Sequence, residues 1–333
     1  MPQQPVVRAA IQGLGVHIPP RILTNADLAR RVDTSDEWIT ARTGIKRRHV
    51  AEPDQATSDL ALIAAQDALK NSGLDAKDLD LIIVGTATPD MIFPATACLI
   101  QDRLGAGHIG AFDLLAACSS FVYGLISASQ LIQAGVIRYA LVVGAETLSR
   151  LIDWEDRRTC VLIGDGAGAA VLGPSTSGAG IYSGVVGADG SAGEVLKVQA
   201  GGSRMPVTVE VIERKLHRAY MDGQAVFKLA VRTVPGLIRN AVARAGWSME
   251  DVDLIVPHQA NLRIIDAMRD QLGFPLEKFV VNIQEYGNTS AASVPLALWE
   301  AVQAGRIRDG DKVVLAAFGG GFTYAACTLV WGR

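Results

Sequence analysis

The sequence predicts an α/β protein with a duplicated chain, its parallel sheet covered by helices on both faces. Three observations carry this. Apolar runs of strand length alternate with helix-length segments. Ile132-Gln-Ala-Gly-Val-Ile-Arg138 recurs as Val302-Gln-Ala-Gly-Arg-Ile-Arg308, an offset of 302 − 132 = 170 residues. No charged side chain occurs between Asp113 and Arg138, so a helix there has no charged face and belongs near the middle of the molecule.

In chain order, Val6 to Ile11 reads as a short strand, and Ser35 followed by Trp38 marks a capped helix. Gly13-Leu-Gly15 resembles the opening of a dinucleotide fingerprint, but Ile18 stands at the third glycine, so nucleotide binding is rejected. Leu60, Ile63, Ala64, Ala68 and Leu69 fall near helical spacing between Ser58 and Ser72, with Gly73 as a stop. Leu79 to Gly85 is a buried strand, Ala95 to Leu104 a helix, and Tyr139 to Gly144 the strand after the central helix. The echo extends to the strands: Asp80-Leu-Ile-Ile-Val84 is answered by Asp253-Leu-Ile-Val256, and Ala140-Leu-Val-Val143 by Lys312-Val-Val-Leu315. The Pro/Ser/Gly-rich run Gly173–Gly180 is the seam, giving halves 1–174 and 175–333.

Composition narrows the function classes. With 49% hydrophobic and 20% charged residues the 333-residue chain buries a substantial core. A net charge of −3 offers no general attraction to nucleic acid or anionic membrane. The uncharged stretch before Arg138 has the length of a membrane span, but Ser119, Ser120, Ser127, Ser129, Gln130 and Gln133 make it too polar for one. Cys98, Cys118, Cys160 and Cys327 form no CxxC pair, and the five histidines show no ligand spacing, so neither disulfides nor a metal is expected. The N-terminus shows no secretory signal, which makes a reducing cytoplasm the default.

Cys118 sits where an apolar strand turns into the central helix, and unpaired N–H groups at a helix start favour a thiolate. The plainer reading is a packed core cysteine. Adding 170 to 118 gives Asn288, so Cys118 and Asn288 are expected at equivalent helix starts, converging on one cavity. An ordinary N-cap is the alternative for Asn288. His258 ends the strand Leu254–Pro257, where open α/β sheets place ligands. Gly319-Gly320-Gly321 marks a sharp turn or a close approach to a ligand. Gly164-Asp-Gly-Ala-Gly168 reads as a hairpin.

Ala-Ala-Cys118, His258-Gln-Ala-Asn-Leu-Arg, Gly-Asn288-Thr-Ser-Ala-Ala-Ser and Phe-Gly-Gly-Gly-Phe together resemble the β-ketoacyl-acyl-carrier-protein synthase III family, from about Gly13 to the C-terminus. The resemblance implies a thiolase-like fold of two similar halves layered α-β-α-β-α, a homodimer, and a Cys118–His258–Asn288 triad. It implies an acyltransferase that initiates fatty acid synthesis: acetyl-CoA or another short acyl-CoA acylates Cys118, and malonyl-acyl-carrier protein then loses CO2 and condenses to a 3-oxoacyl product. The CoA thioester is a substrate, so no cofactor is implied. The N–H groups of Cys118 and Gly320 would form the oxyanion hole. Trp38, Arg42 and Arg157 match the CoA site, Phe93 the residue reaching the partner subunit's acyl pocket, and Lys228 and Arg263 the carrier-protein docking surface.

One departure stands out. Ser119-Ser120 replaces a small residue and glycine, which is expected to add bulk and a hydroxyl near the acyl site. A related condensing enzyme of secondary metabolism with another primer is the alternative. A thiolase would need a second cysteine in a Cys-x-Gly setting, whereas Cys327 precedes Thr-Leu. A thiol hydrolase also orders its residues Cys, His, Asn, and an inert acyl-CoA-binding protein is the non-enzymatic reading.

Overall fold

Gly13 and Gly15 lie within a strand, where a methyl on either would collide with the Ala68 or Ala64 carbonyl of the helix packed on it. Close helix–strand packing explains the glycine pair that resembled a nucleotide turn. The computed structural model describes residues 7–333, which leaves Val6 outside the described residues. Strand β1 (Arg8–His17) runs beyond the expected end, and the helix on it is α2 (Thr57–Ser72). Before it, α1 (Asp36–Thr43) starts at Ser35, whose Oγ accepts from Trp38 N at 3.1 Å. Gly73 closes α2 with a φ of 74°.

The first sheet adds β2 (Leu81–Gly85), β3 (Gly110–Leu114), β4 (Ala140–Glu146) and β5 (Gly166–Ser175) to β1, in the order β1-β5-β4-β2-β3. Strand β5 is antiparallel to both neighbours, while β4, β2 and β3 run parallel. The second sheet contains β6 (Gly180–Ala188), β7 (Leu254–Pro257), β8 (Lys312–Gly319) and β9 (Thr323–Val330), ordered β7-β8-β9-β6. Read from β6, its order and directions repeat those of the first sheet, and a single bridge between Ile255 and Phe279 takes the place of β3. The run Gly173–Gly180 carries the chain from one sheet into the other.

Asp80 joins β2 to β4 through Tyr139, accepting from its N and donating to its O, both at 3.0 Å. Asp253 repeats this with Lys312 at 2.8 and 2.9 Å. Tyr139 therefore matches Lys312, an offset of 312 − 139 = 173, one residue away from the pairing read along the sequence.

The uncharged segment is α4 (Ser120–Gln133), and it lies between the sheets beside α7 (Ser293–Gln303). Phe121 and Leu125 of α4 and Leu298 of α7 share one core with Ile83 and Val142 of the first sheet and Val256 and Leu315 of the second. Burying a side chain such as Phe121 contributes roughly 1.5–3 kcal/mol. Helices α2 and α3 (Thr96–Leu104) cover the outer face of the first sheet. Helices α5 (Gly223–Arg244) and α6 (Leu262–Leu272) cover that of the second, completing the α-β-α-β-α layering.

The hairpin expected at Gly164–Gly168 is absent among the described residues. Gly164 instead donates to Asn288 O at 3.0 Å, and Gly166 to Gly168 begin β5.

Gly144 of β4 meets the Ala291 carbonyl so closely that a methyl has no room, whereas Gly236, exposed within α5, has open space at its Cβ position. Gly144→Ala should lower the urea midpoint by about 1–3 kcal/mol of stability, and Gly236→Ala should raise it by about 0.5–1 kcal/mol. An unchanged midpoint for Gly144→Ala would contradict the contact.

Candidate active site

Both central helices begin with the same device. A single 3₁₀ turn precedes each, Ala117–Ser119 before α4 and Ser290–Ala292 before α7. Each is entered through a non-glycine residue in the left-handed region, with φ 48° at Ala117 and 50° at Ser290. The helix starts are thus 293 − 120 = 173 residues apart, while the helix ends are 303 − 133 = 170 apart, because α7 is three residues shorter. Cys118 therefore corresponds to Ala291. The expected equivalence of Cys118 and Asn288 is corrected: Asn288 lies two residues ahead of Ser290.

The strand ends Glu146 and Gly319 are also 319 − 146 = 173 apart, and each reaches the other central helix's turn. A Cβ on Gly319 would stand 2.5 Å from Cys118 N and 3.1 Å from Ala117 Cβ. Glu146 Oε1 accepts from Ser290 Oγ at 2.9 Å. Gly320 and Gly321 form the β8–β9 hairpin, in which Gly319 pairs with Thr323. Neither Cys118 N nor Gly320 N donates to a backbone or side-chain acceptor among the described residues.

Burial pushes the Cys118 thiol up to about 12; a hydrogen bond with Ser290 opposes the shift and Glu146 adds to it. Desolvation thus outweighs the helix-start preference for a thiolate, and Cys118 rests as the thiol. The two serines after it are turned into the fold. Ser120 Oγ accepts from Ala116 N at 2.8 Å, and the Ser119 hydroxyl reaches Ala116 O and Thr323 Oγ1 at 2.7 and 2.8 Å. The bulk expected from Ser120 lies against Gly85.

His258 follows β7, and its N–H extends the ladder to Ala316 O at 2.7 Å. Its ring stands edge-on to Phe318 with centroids 5.3 Å apart, and Nδ1 meets Ser293 Oγ at 2.5 Å. Gln259 N donates to that same Oγ at 3.4 Å, which leaves the Ser293 hydroxyl hydrogen for Nδ1. This network assigns the imidazole proton to Nε2. At 1% exposure, burial pushes His258 down to about 3 and keeps it neutral. Asn288 is fixed by its backbone, with N donating to Leu162 O at 2.8 Å, and by its Oδ1, which accepts from Ser290 N at 2.9 Å. Its Nδ2 is left as a donor. The turn bearing Ser290 packs against the turn bearing Cys118, Ser290 N binds Asn288 Oδ1, and Phe318, next to Gly319, touches His258. The three groups therefore gather around one turn and one strand end.

Residues 112–190 match the model of the 3-oxoacyl-(acyl-carrier-protein) synthase III family, and residues 242–331 match that of its C-terminal region. The β-ketoacyl-(acyl-carrier-protein) synthase III of Caldanaerobacter subterraneus is 51% identical, covering 98% of this chain and 99% of the relative. The chain belongs to the β-ketoacyl-acyl-carrier-protein synthase III family. The solved family member from Thermus thermophilus superposes with a TM-score of 0.91 at 50% identity, over 97% of this chain and 99% of the other. The priming β-ketosynthase of the R1128 polyketide pathway reaches the same TM-score at 37% identity, over 99% and 98%.

The residues that the resemblance assigns to CoA also meet. The Arg42 and Arg157 guanidinium carbons lie 4.7 and 4.8 Å from the Trp38 ring centroid. Phe93 is 82% exposed beside Ile92 at 85%. Lys228 and Arg263 are exposed on α5 and α6, the helices outside the second sheet. Cys327, in contrast, is wholly buried within β9 and pushed up to about 12 by desolvation. Among the described residues no cluster of three or more His, Cys, Asp or Glu is placed to hold a metal, and no helix is long and apolar enough to cross a membrane.

Four residues escaped the sequence reading: Glu146, Ser290, Ser293 and Gln259. Gln259 donates to Pro257 O and Val280 O and accepts from Asn282 N, tying the His258 loop to the segment before Asn288. Only Glu146 left a signal, an acid closing an apolar strand.

The unfolded histidine titrates near 6.5 and the folded one near 3, so between these values the unfolded chain binds more protons. His258 contributes stability that is complete above about 6.5 and is lost as pH falls toward 3. Its imidazole shift in an NMR titration should stay at the neutral position down to pH 5; a midpoint near 6.5 contradicts the buried, Ser293-bound ring.

Proposed function

We propose that this chain initiates fatty acid synthesis by a decarboxylating Claisen condensation in which Cys118 carries the acyl group between two half-reactions. The observation that carries this reading is the pair of free donors, His258 Nε2 and Asn288 Nδ2, set around the packed turns that bear the half-buried Cys118 thiol. In the first half-reaction Cys118 sulfur attacks the thioester carbon of a short acyl-CoA, acetyl-CoA foremost, and the unpaired N–H groups of Cys118 and Gly320 receive the oxyanion. CoA leaves. Trp38, Arg42 and Arg157 hold its adenine and phosphate by stacking and charge.

In the second half-reaction malonyl-acyl-carrier protein places its thioester oxygen against His258 and Asn288. The carboxylate C–C bond breaks, CO2 departs, and the electron pair enters an enolate held by the two donors. The neutral, Nε2-protonated imidazole suits this task, since it donates without adding a charge. The enolate carbon attacks the acyl-Cys118 carbon, the C–S bond breaks with its electron pair going to sulfur, and the 3-oxoacyl-carrier protein is released while the sulfur takes a proton from water. The electrons come from the substrate, so no redox group or other cofactor is assigned.

Lys228 and Arg263 offer positive charge to an acidic carrier protein. Phe93 and Ile92 are too exposed to stand alone and are read as reaching the second subunit of a homodimer. The cytoplasm supplies both substrates. A condensing enzyme that primes a secondary pathway is the weaker reading, given the lower identity to the polyketide enzyme.

Radiolabelled acetyl-CoA should label the wild type on Cys118, and Cys118→Ala should take no label. Asn288→Ala should still be labelled, while its CO2 release from malonyl-carrier protein falls by about 100- to 1,000-fold, as for loss of one oxyanion donor. Wild-type decarboxylation in Asn288→Ala would remove the role given to the amide. Trp38→Ala should raise KM for acyl-CoA about tenfold with little change in kcat, the signature of lost ground-state binding.

A further inference from the structure

Thr323 opens β9 beside the Cys118 turn, and the condensation scheme gives it no task. Its Oγ1 donates to Ala116 O at 2.7 Å and stands 3.2 Å from Gly320 O. Those carbonyls lie on the two chain segments that supply the free N–H groups of Cys118 and Gly320. Among the described residues no other side chain hydrogen-bonds a carbonyl on both segments. Ser119, wholly buried, backs the contact: its Oγ lies 2.8 Å from Thr323 Oγ1 and 2.7 Å from Ala116 O, which also accepts from Ser119 N at 3.2 Å. Ser120 Oγ accepts from Ala116 N at 2.8 Å. Ala116 is thus held at both its N–H and its C=O, immediately before Ala117 enters the left-handed region.

We infer that Thr323 is a positioning residue whose hydroxyl, bound to a carbonyl on each segment, sets the separation of the Cys118 and Gly320 N–H groups. The proposal rests on the condensation reading, which assigns those two groups to the oxyanion. Thr323 hydrogen-bonds only backbone carbonyls and Ser119, so it acts through the backbone and passes no proton to substrate.

The need for such a tie differs on the two sides. Ala117 holds a conformation that persists only where its surroundings fix it, and its relaxation would swing the Ala117–Cys118 peptide that carries one donor. Gly320 lies between two further glycines, so no side chain of its own segment restrains the peptide that carries the other. The ladder pair Gly319–Thr323 brings the threonine alongside. Its β-branch limits rotation about χ1 in a strand and keeps the hydroxyl aimed at both carbonyls. Oxyanion stabilisation depends on where the donors stand when charge develops, and a misplacement of about 1 Å costs on the order of 100-fold in rate.

The test is single-turnover acetylation of Cys118 by radiolabelled acetyl-CoA in the full chain, read beside alkylation of the same thiol by iodoacetamide, which forms no oxyanion. Thr323→Val keeps the side-chain shape and removes the hydroxyl, while Ser119 still satisfies Ala116 O. Its acetylation rate at saturating acetyl-CoA should fall about 100-fold. Its half-saturating acetyl-CoA concentration and its alkylation rate should stay within about twofold of wild type, because the lost interaction serves the transition state alone. Thr323→Ser should recover acetylation to within about threefold of wild type. Acetylation of Thr323→Val at the wild-type rate overturns the proposal. A fall in alkylation that matches the fall in acetylation also overturns it, since that reports a disturbed thiol rather than displaced donors. A Thr323→Ser as slow as Thr323→Val does the same, since the methyl group and not the hydroxyl would then matter. Should Thr323→Val fail to fold, Thr323→Ala, smaller at the same position, carries the same expectations. A wild type that takes no label from acetyl-CoA overturns the condensation reading instead, an outcome separate from any comparison among labelled variants.

Discussion

Gly319 ends its strand against the backbone nitrogen of Cys118, so near that one methyl would stand 2.5 Å from that nitrogen. This contact sets the depth at which the turn before α4 sits between the sheets. Ala117 is held there in a left-handed conformation, a strain on the order of 1–3 kcal/mol that tight surroundings sustain. The mirror contact is Glu146 against Ser290, and Gly144 against Ala291 lets that second turn approach. Fixing both turns fixes what hangs from them: Cys118 on one, Ser293 and through it His258 on the other, and Asn288 by its bond to Ser290 N. Behind Asn288, the fully buried Arg48 donates to Val161 O at 2.6 Å and so supports the segment Leu162–Gly164 that clasps the asparagine backbone.

Enclosure then governs the electrostatics. Cys118, Glu146 and His258 are all displaced toward their neutral forms, the first two upward and the imidazole downward, with desolvation the leading cause each time. A catalyst of neutral groups suits chemistry whose charges travel with the substrates. In the proposed reaction the helix start serves as a source of unpaired N–H groups for an oxyanion rather than as the agent that ionises the thiol.

Much of the scaffold was legible because it rests on local signals. The Ser35 cap, the Gly73 stop and the uncharged stretch after Asp113 each report a short-range requirement, and each element lies where that requirement puts it. Cys118 and His258 announced themselves by position at element ends. Gly13, Gly15 and Gly164 misled because sequence shows that a side chain is missing but not what fills its place. The offset of 170 came from helix ends, and it missed the three residues removed from α7, so it joined Cys118 to the wrong partner while still drawing attention to Asn288. Ser293 and Gln259 act through contacts with residues distant in the chain or turned away from their own element, and no local pattern marks those, whereas Glu146 showed only as an acid at the end of an apolar strand.

The matched strand ends show how one duplicated frame came to hold two different chemistries. At one of the two matched positions the strand closes on glycine, and the turn it meets bears the thiol with nothing between them but backbone. At the other it closes on glutamate, and the turn it meets bears Ser290, whose hydroxyl donates to that carboxylate. A symmetric pair of contacts would give two thiols or two carboxylates, either of which would place like charges a few ångströms apart once ionised. Divergence at Cys118/Ala291 and Glu146/Gly319 instead leaves a single ionisable sulfur at one turn and a single buried carboxylate against the other, so the fold's repetition supplies the frame and its asymmetry keeps like charges from being paired.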